Sequence, residues 1–150
     1  MSGTFSHELA IDLPVTPEAA WRVIADYGRD PEWRRGVVMR HEPAGLVRDG
    51  TRTFEELKFL GSVHRTVARI HDVVPGRAFR FTSDDGAVRG YRRVETAVKG
   101  CRIVVGVTVT VPFGPAAPII GWFYRREVRG NLRRLAGLVC ATDARQALQT

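Results

Sequence analysis

An α+β fold, in which one curved antiparallel sheet of seven strands wraps around a long C-terminal helix, is predicted by three features of the sequence. The segment from Phe5 to Leu13 alternates apolar and polar residues, which is typical of a half-buried strand. Six further strand-like segments follow with short turns between them, and short turns join antiparallel neighbours. From about Ala117 to Gln149 the apolar residues have the spacing of an amphipathic helix.

Two short helices are predicted directly after the first strand. Pro14 ends that strand, and Thr16-Pro17 then places a capping hydroxyl before a proline at the first helical position. This helix is expected to reach about Tyr27. The sequence Asp30-Pro31-Glu32 repeats the start signal, which predicts a second short helix through Trp33 to about residue 35.

The six remaining strands are bounded by turn signals. These include Pro75-Gly76 and the hairpin sequence Asp84-Asp85-Gly86. β-branched residues dominate the last strand, as a pleated surface prefers. The predicted strands are Val37–Glu42, Thr51–Phe59, Ser62–Val74, Arg77–Thr82, Val88–Val98 and Cys101–Val111.

The last helix is predicted to pack one apolar stripe against the sheet. The stripe recurs at spacings of three and four residues and consists of Tyr124, Val128, Leu132, Leu135 and Leu138. We expect Phe123 to widen it and all three tryptophans, Trp21, Trp33 and Trp122, to pack inside. A sheet wrapped around a helix leaves a gap, and a gap lined by apolar side chains is a place for a small molecule.

The composition predicts one domain over residues 1–150. A chain of 150 residues, 44% of them hydrophobic, is long and apolar enough to bury a core. No apolar run reaches the roughly 18 to 20 residues of a membrane span, and the sequence does not open on a basic residue followed by an apolar stretch. Cys101 and Cys140 are expected to be reduced, buried thiols. We therefore expect a cytoplasmic protein without a secretion signal.

The positive charge is spread over the whole chain. The net charge is +7, and the basic residues are twenty-one Arg and two Lys. Acidic residues are interleaved with them, and the densest run, Arg125 to Arg134, has the spacing of a solvated helix face. We therefore predict no nucleic-acid partner, although the charge favours an anionic ligand or an acidic partner protein.

No motif in the sequence names a reaction. The chain has no GxGxxG, P-loop, HExxH or GxSxG pattern, and none of its four histidines stands at metal-ligand spacing on a helix. We therefore expect no cofactor and no metal, and we assign no catalytic residue. Whether the protein is an enzyme stays open at this point.

Polar residues that share a strand face with apolar ones are the candidates for a ligand site. His7 and His41 do so, and a histidine there orients a ligand or moves a proton. Glu55 and Arg92 do so on two other strands, where they pair, bind the polar end of a ligand or, if the register is shifted, face water. Tyr124 supplies a polar handle or packs in the core. The candidate ligand-binding residues are His7, Trp33, His41, Glu55, Arg92, Tyr124 and Val128.

Several segments share the pattern of a known superfamily. They are the first strand, Leu13 to Trp21, Asp26, Pro31-Glu32-Trp33-Arg34, Val73-Val74-Pro75-Gly76-Arg77 and Asn131 to Leu135. On these segments, residues 4–141 resemble the START-like (SRPBCC) superfamily, which includes small polyketide cyclase/dehydrase-like proteins. The resemblance implies the helix-grip (Bet v 1-like) fold with an apolar ligand held between sheet and last helix. These segments mark the fold rather than a reaction, so no catalytic residue is carried over.

The resemblance leaves three classes of function open. The first is binding of a hydrophobic or aromatic small molecule, polyketide- or lipid-like, with polyketide cyclase or dehydratase activity, which requires polar groups poised for proton transfer in the cavity. The second is a lipid or quinone carrier, whose cavity is almost wholly apolar. The third is a protein-interaction module, which would show a small cavity and a large exposed patch. A monomer and a homodimer are both consistent with the sequence.

Overall fold

The computed structural model describes residues 1–149 and has the predicted α+β architecture. Within this range, seven strands form one curved antiparallel sheet, two short helices follow the first strand and a long helix comes last, which confirms the helix-grip prediction. The strands are β1 (Gly3–Leu13), β2 (Val37–Glu42), β3 (Arg52–Phe59), β4 (Ser62–Val74), β5 (Ala78–Ser83), β6 (Val88–Ala97) and β7 (Gly100–Val111). The helices are α1 (Pro17–Ile24), α2 (Asp30–Trp33) and α3 (Ala117–Leu148).

The strand order β1-β7-β6-β5-β4-β3-β2 places the first and last strands side by side. β1 and β7 pair along their whole length, from Gly3 opposite Val111 to Leu13 opposite Cys101. The other neighbours are consecutive in sequence and antiparallel, as short turns require. In β1 the burial alternates with period two, which confirms the predicted inner and outer faces.

The corner after β1 is tighter than the sequence predicts. The Thr16 hydroxyl accepts the Ala19 N–H at 3.2 Å, which confirms the predicted cap of α1. However, α1 ends at Ile24 rather than near Tyr27, because the Asp26 side chain accepts the Gly28 N–H at 3.0 Å and a short 3-10 turn replaces the last helical turn.

The second helix is also short. α2 ends at Trp33, since Arg34 already has extended backbone with φ −99° and ψ 111° and Gly36 follows at φ +75°. Asn131 of α3 holds this segment, because its side-chain oxygen accepts the Arg35 N–H at 3.2 Å. The guanidinium of Arg134 adds a second tie by donating to the Trp33 carbonyl at 3.1 Å.

The core lies between the sheet, the corner and the C-terminal half of α3. Leu132, Leu135 and Val139 of α3 pack in one cluster with Phe79 and Ile103 of the sheet. Their spacings of three and four residues confirm the predicted stripe in this half of the helix.

Two aromatic residues near the start of α3 correct the sequence prediction. Trp122 is 58% exposed and Phe123 is 38% exposed, whereas both are expected from the sequence to be inside. The reason is that Gly121 is the residue that faces the sheet: a Cβ atom there would lie only 3.0 Å from the Phe5 side chain. The residues directly after Gly121 are therefore turned outward. Along residues 1–149, α3 included, no helix combines the length and the apolar character needed to cross a bilayer.

The packing of α3 yields a stability prediction. Leu132 is buried between α3 and the sheet, so Leu132→Ala should lower the free energy of unfolding by roughly 2–5 kcal/mol through lost apolar contact and a residual cavity. The neighbouring Arg133 is exposed, and Arg133→Ala is the control, expected to change stability by no more than about 0.5 kcal/mol. Denaturant melts of both variants measure the effect. Equal stability of the Leu132→Ala variant and the unsubstituted protein would contradict this packing.

Candidate functional site

A cavity of about 110 Å³ lies between the inner face of the sheet and α3. Most of its wall is apolar and comes from six strands and α3. The apolar lining residues are Leu9, Leu57, Phe59, Ala68, Phe81, Val88, Val105, Val107 and Val128. Such a wall excludes water and favours apolar ligand surface.

A buried ionic network forms one end of this cavity. Asp30 is fully buried, and Arg92 donates to both of its carboxylate oxygens at 3.0 and 2.6 Å. Arg92 donates further to the carbonyl of Ile24 at 2.9 Å. Arg34 donates to Asp30 at 2.9 Å and to Glu55 at 2.5 Å. The chain of charges Arg92–Asp30–Arg34–Glu55 is therefore continuous, and Arg92, Arg34 and Glu55 line the cavity.

Aromatic rings and carboxylates keep the two guanidinium groups charged. The centre of the Arg92 guanidinium lies 4.4 Å from the Tyr27 ring and 5.0 Å from the Trp33 ring. Burial lowers the pKa of Arg34, but the carboxylates of Glu55 and Asp30 outweigh burial and hold that pKa well above its ordinary value. Burial is likewise outweighed for Arg92, chiefly by Asp30, so its pKa is also raised.

Two phenol groups near the network remain protonated. Burial raises the pKa of Tyr27 to about 12, although the nearby Arg92 lowers it. Burial also raises the pKa of Tyr124, against the effect of Arg34. Tyr124 lines the cavity from α3 and stacks edge-to-face on Phe59 with ring centroids 5.7 Å apart. A protonated phenol there is a hydrogen-bond donor toward the cavity.

An unpartnered donor lies in the same wall. The indole Nε1 of Trp33 is buried and has no hydrogen-bond partner among residues 1–149. Burying a donor without a partner costs free energy, and the residue that carries this atom also lines the cavity.

His7 connects β1 to α3 at the cavity wall. Its Nε2 lies 2.7 Å from the carbonyl oxygen of Gly121, so the ring donates from Nε2 and leaves Nδ1 as an acceptor when neutral. This bond stands beside the close contact between Gly121 and Phe5. His7 therefore both lines the cavity and helps to fix the position of the helix.

The structure brings six of the seven predicted site residues to one cavity. His7, Trp33, Glu55, Arg92, Tyr124 and Val128 all line it. His41 lies on the inner face of β2, but beyond the cavity wall, where its Nε2 is 4.0 Å from the carboxylate of Asp26. The alternation of β2 correctly predicts that His41 faces inward. It does not predict whether this position along the strand reaches the cavity. A role in binding stays a prediction for all of them.

The suggested pairing of Glu55 with Arg92 is wrong. Asp30 is the partner of Arg92, and Arg34 is the partner of Glu55. From the sequence, Asp30 is predicted only to start a helix, and Arg34 only belongs to a superfamily pattern. Their four-residue spacing, which places two side chains on one helix face, is the local signal that points to the pair. Asn131, which also lines the cavity, has no such signal in the sequence.

No group of three or more His, Cys, Asp or Glu side chains in the described range is arranged to hold a metal ion. The polar groups of the cavity are instead hydrogen-bond donors, an imidazole and the carboxylates of Glu55 and Glu127, of which Glu55 is ion-paired.

The family comparison agrees with the fold. A sequence profile for the family described as polyketide cyclase/dehydrase and lipid transport matches residues 4–139. Among curated proteins, no sequence matches the chain significantly.

Solved structures give the same fold at low sequence identity. KanY is 20% identical, with a TM-score of 0.73 over 91% of this chain and 98% of that protein. TTHA0849 from Thermus thermophilus is 18% identical, with a TM-score of 0.73 over 95% of this chain and 99% of that protein. The di-domain ARO/CYC StfQ from the steffimycin biosynthetic pathway is 17% identical, with a TM-score of 0.72 over 96% of this chain and 52% of that one. At these identities the likeness establishes the fold alone.

The buried network yields a second stability prediction. Arg92→Met leaves Asp30 buried with two of its three side-chain hydrogen bonds gone, so the free energy of unfolding should fall by roughly 3–5 kcal/mol. Arg93→Met is the control, because its carboxylate partners are solvent-exposed, and it should cost no more than about 1 kcal/mol. Denaturant melts measure both variants. An Arg92→Met protein as stable as the Arg93→Met control would show that the network does not hold the corner.

Proposed function

We propose that this chain, which belongs to the polyketide cyclase/dehydrase and lipid transport family, binds a hydrophobic or aromatic small molecule that carries an oxygen acceptor at one end. The observation that carries the proposal is a cavity with apolar walls whose lining includes Trp33, a residue with a buried donor that has no partner among the described residues. An apolar body in this cavity leaves water, while the acceptor satisfies the donor.

Three groups favour an oxygen acceptor in the ligand. The Trp33 indole has no partner of its own among the described residues, and the Tyr124 phenol stays protonated because its pKa is raised by burial. Arg34 adds a permanent positive charge beside them. The Arg92 guanidinium is occupied by Asp30 and Ile24, so its role is to hold the wall in place.

The family and its structural relatives support a polyketide- or lipid-like ligand. The family description names both polyketide cyclase/dehydrase and lipid transport. StfQ, which shares the fold, is an ARO/CYC of a biosynthetic pathway. A fused or conjugated ring system with carbonyl oxygens combines the apolar body and the acceptor that the cavity suits.

A cyclase or dehydratase activity is the second candidate, and Glu55 is the residue that favours it. Its carboxylate lines the cavity beside the Arg34 guanidinium, and it interacts electrostatically with Tyr124. In dehydration of a β-hydroxy ketone, Glu55 would take the proton next to the carbonyl while Tyr124 protonates the departing hydroxyl. A carbon–carbon double bond forms and water leaves. A lipid or quinone carrier is the alternative, with the same cavity and no such step.

The binding proposal predicts a preference for an acceptor. 2-Acetylnaphthalene, which has a carbonyl, should bind more tightly than 2-isopropylnaphthalene, which has nearly the same shape without it. Trp33→Phe should reduce that preference by about tenfold, the value of one hydrogen bond to a buried donor. Val128→Trp should prevent binding of both by filling the cavity, whereas Val98→Trp, at an exposed turn, is the control. Fluorescence titration measures the affinities.

The outcomes of this titration distinguish recognition of the acceptor from binding in the cavity. Binding of both naphthalenes with equal affinity would contradict the proposed preference for an acceptor and would support only an apolar cavity. Binding that survives Val128→Trp would place the ligand elsewhere and overturn the proposal. Thermal melts of each variant confirm that a lost affinity is not a lost fold.

The enzyme candidate predicts loss of turnover without loss of binding. With 4-hydroxy-4-phenylbutan-2-one, dehydration to the conjugated enone should be faster than background and should return to background in Glu55→Gln, because the amide does not take a proton. Glu56→Gln on the outer face of the same strand, where Glu56 pairs with Arg65, is the matched control. Absorbance of the enone follows the reaction. Binding without any acceleration would favour the carrier.

A further inference from the structure

We propose that the N-terminal half of α3 is a docking face for an anionic lipid membrane. This face is one side of the helix, and its residues recur at spacings of one, three and four along four turns: Ile119, Trp122, Phe123, Arg126, Arg129 and Arg133. The inference rests on this surface alone and is independent of the ligand proposed above.

The first part of the docking face is apolar and exposed. Ile119 is 64% exposed, and Trp122 and Phe123 form an edge-to-face pair with ring centroids 4.9 Å apart. Phe113, just before the helix, and Leu60, in the turn between β3 and β4, are also exposed. Soluble surfaces seldom expose several large apolar side chains together, and aromatic residues are favoured at the membrane–water interface.

The second part of the docking face is cationic. Arg126, Arg129 and Arg133 are exposed, and none has an ion-pair partner within the described range. The Arg126 guanidinium lies 5.7 Å from the centre of the Trp122 ring, so charge and aromatic surface are in contact. Unpaired arginines beside exposed aromatic residues can bind lipid phosphates, because positively charged side chains are attracted to an anionic leaflet.

The order of the two parts along the helix fits a bilayer. Ile119, Trp122 and Phe123 come first along the helix, so a bilayer that meets this end of the face takes up their apolar side chains. The arginines follow on the same side and would lie at the level of the headgroups.

The docking face also adjoins the cavity. A surface depression lined by Arg35, Lys58, Leu60, Phe123 and Arg126 is bounded by Phe59 and Glu127. Phe59 and Glu127 also line the cavity between the sheet and α3. A membrane against this face would therefore stand next to the cavity wall and add two more cations, Arg35 and Lys58, to the contact.

Charge decides between a membrane and a second copy of this chain. Two copies meeting through this face would bring the arginines of one against those of the other, which is repulsive. An acidic protein would also satisfy the charges, and the vesicle test below distinguishes it from a membrane. A fluid bilayer accepts them without a matching shape.

Vesicle binding tests the proposal. The protein should co-sediment with vesicles of equal parts phosphatidylcholine and phosphatidylglycerol, and much less with phosphatidylcholine alone. Because Trp21 and Trp33 are buried, a blue shift of tryptophan emission on binding would report Trp122. Replacing Arg126, Arg129 and Arg133 together by Gln should weaken binding about 100-fold, at roughly fivefold for each cation. Ile119→Ser with Trp122→Ser should weaken it about tenfold or more.

Matched controls use the same chemistry elsewhere. Arg69 and Arg89 are exposed on the sheet and Arg77 is exposed in the turn before β5, and their joint replacement by Gln removes the same charge. Val38→Ser with Val98→Ser removes two exposed apolar side chains that do not belong to the docking face. Both controls should bind vesicles within about threefold of the unsubstituted protein.

Three results would overturn the proposal. Absence of binding to the anionic vesicles at low salt would leave an acidic protein as the occupant of this face. Equal weakening by both arginine sets would mean that net charge, and not this surface, attracts the protein. Vesicle binding without any change in tryptophan emission would mean that Trp122 does not reach the bilayer.

Discussion

The pairing of buried Asp30 with Arg92 is the constraint on which the site depends. Arg92 comes from the middle of β6, and Asp30 begins α2, so this ion pair fixes the corner against the inner face of the sheet. Arg34 then joins the same carboxylate to Glu55 on β3. A single buried carboxylate thus determines where the polar end of the cavity stands. A buried charge is stable only while its partners are present. Removing one member of the network therefore destabilises the folded protein.

This arrangement gives the cavity an apolar wall and a polar end. The apolar wall comes from strand alternation, which places every second side chain inward. The polar end comes from the corner between α1 and β2, where Trp33 and Arg34 approach the strands. The fold provides the cavity, and the corner supplies polar groups to its wall.

Local patterns of the sequence predict most of the fold. Period two assigns the faces of β1 and of β7, and the helical stripe finds Leu132 and Leu135. Both patterns concern neighbours along the chain, and the sheet and helix geometry follows from them. The bounds of β2 and β4 agree residue by residue for the same reason, because turn residues stand at both ends.

The features that the sequence does not predict depend on tertiary geometry. Asp30 and Arg92 are far apart in sequence, so their pairing depends on how the corner lies on the sheet. His41 has the right face and lies beyond the cavity, because alternation says nothing about distance along a strand. Trp122 is outward because Gly121 takes the place against β1. Hydrophobicity alone does not show which residue of a helix will lie in close contact with the sheet.

The two attachments of α3 have a mechanical consequence. Gly121 meets Phe5 and His7 of β1, and ten residues later Asn131 holds the Arg35 backbone. These points are about 15 Å apart along the helix axis. A rod clamped at two separated points resists both tilting and sliding. The floor of the cavity is therefore held in place at both of these points.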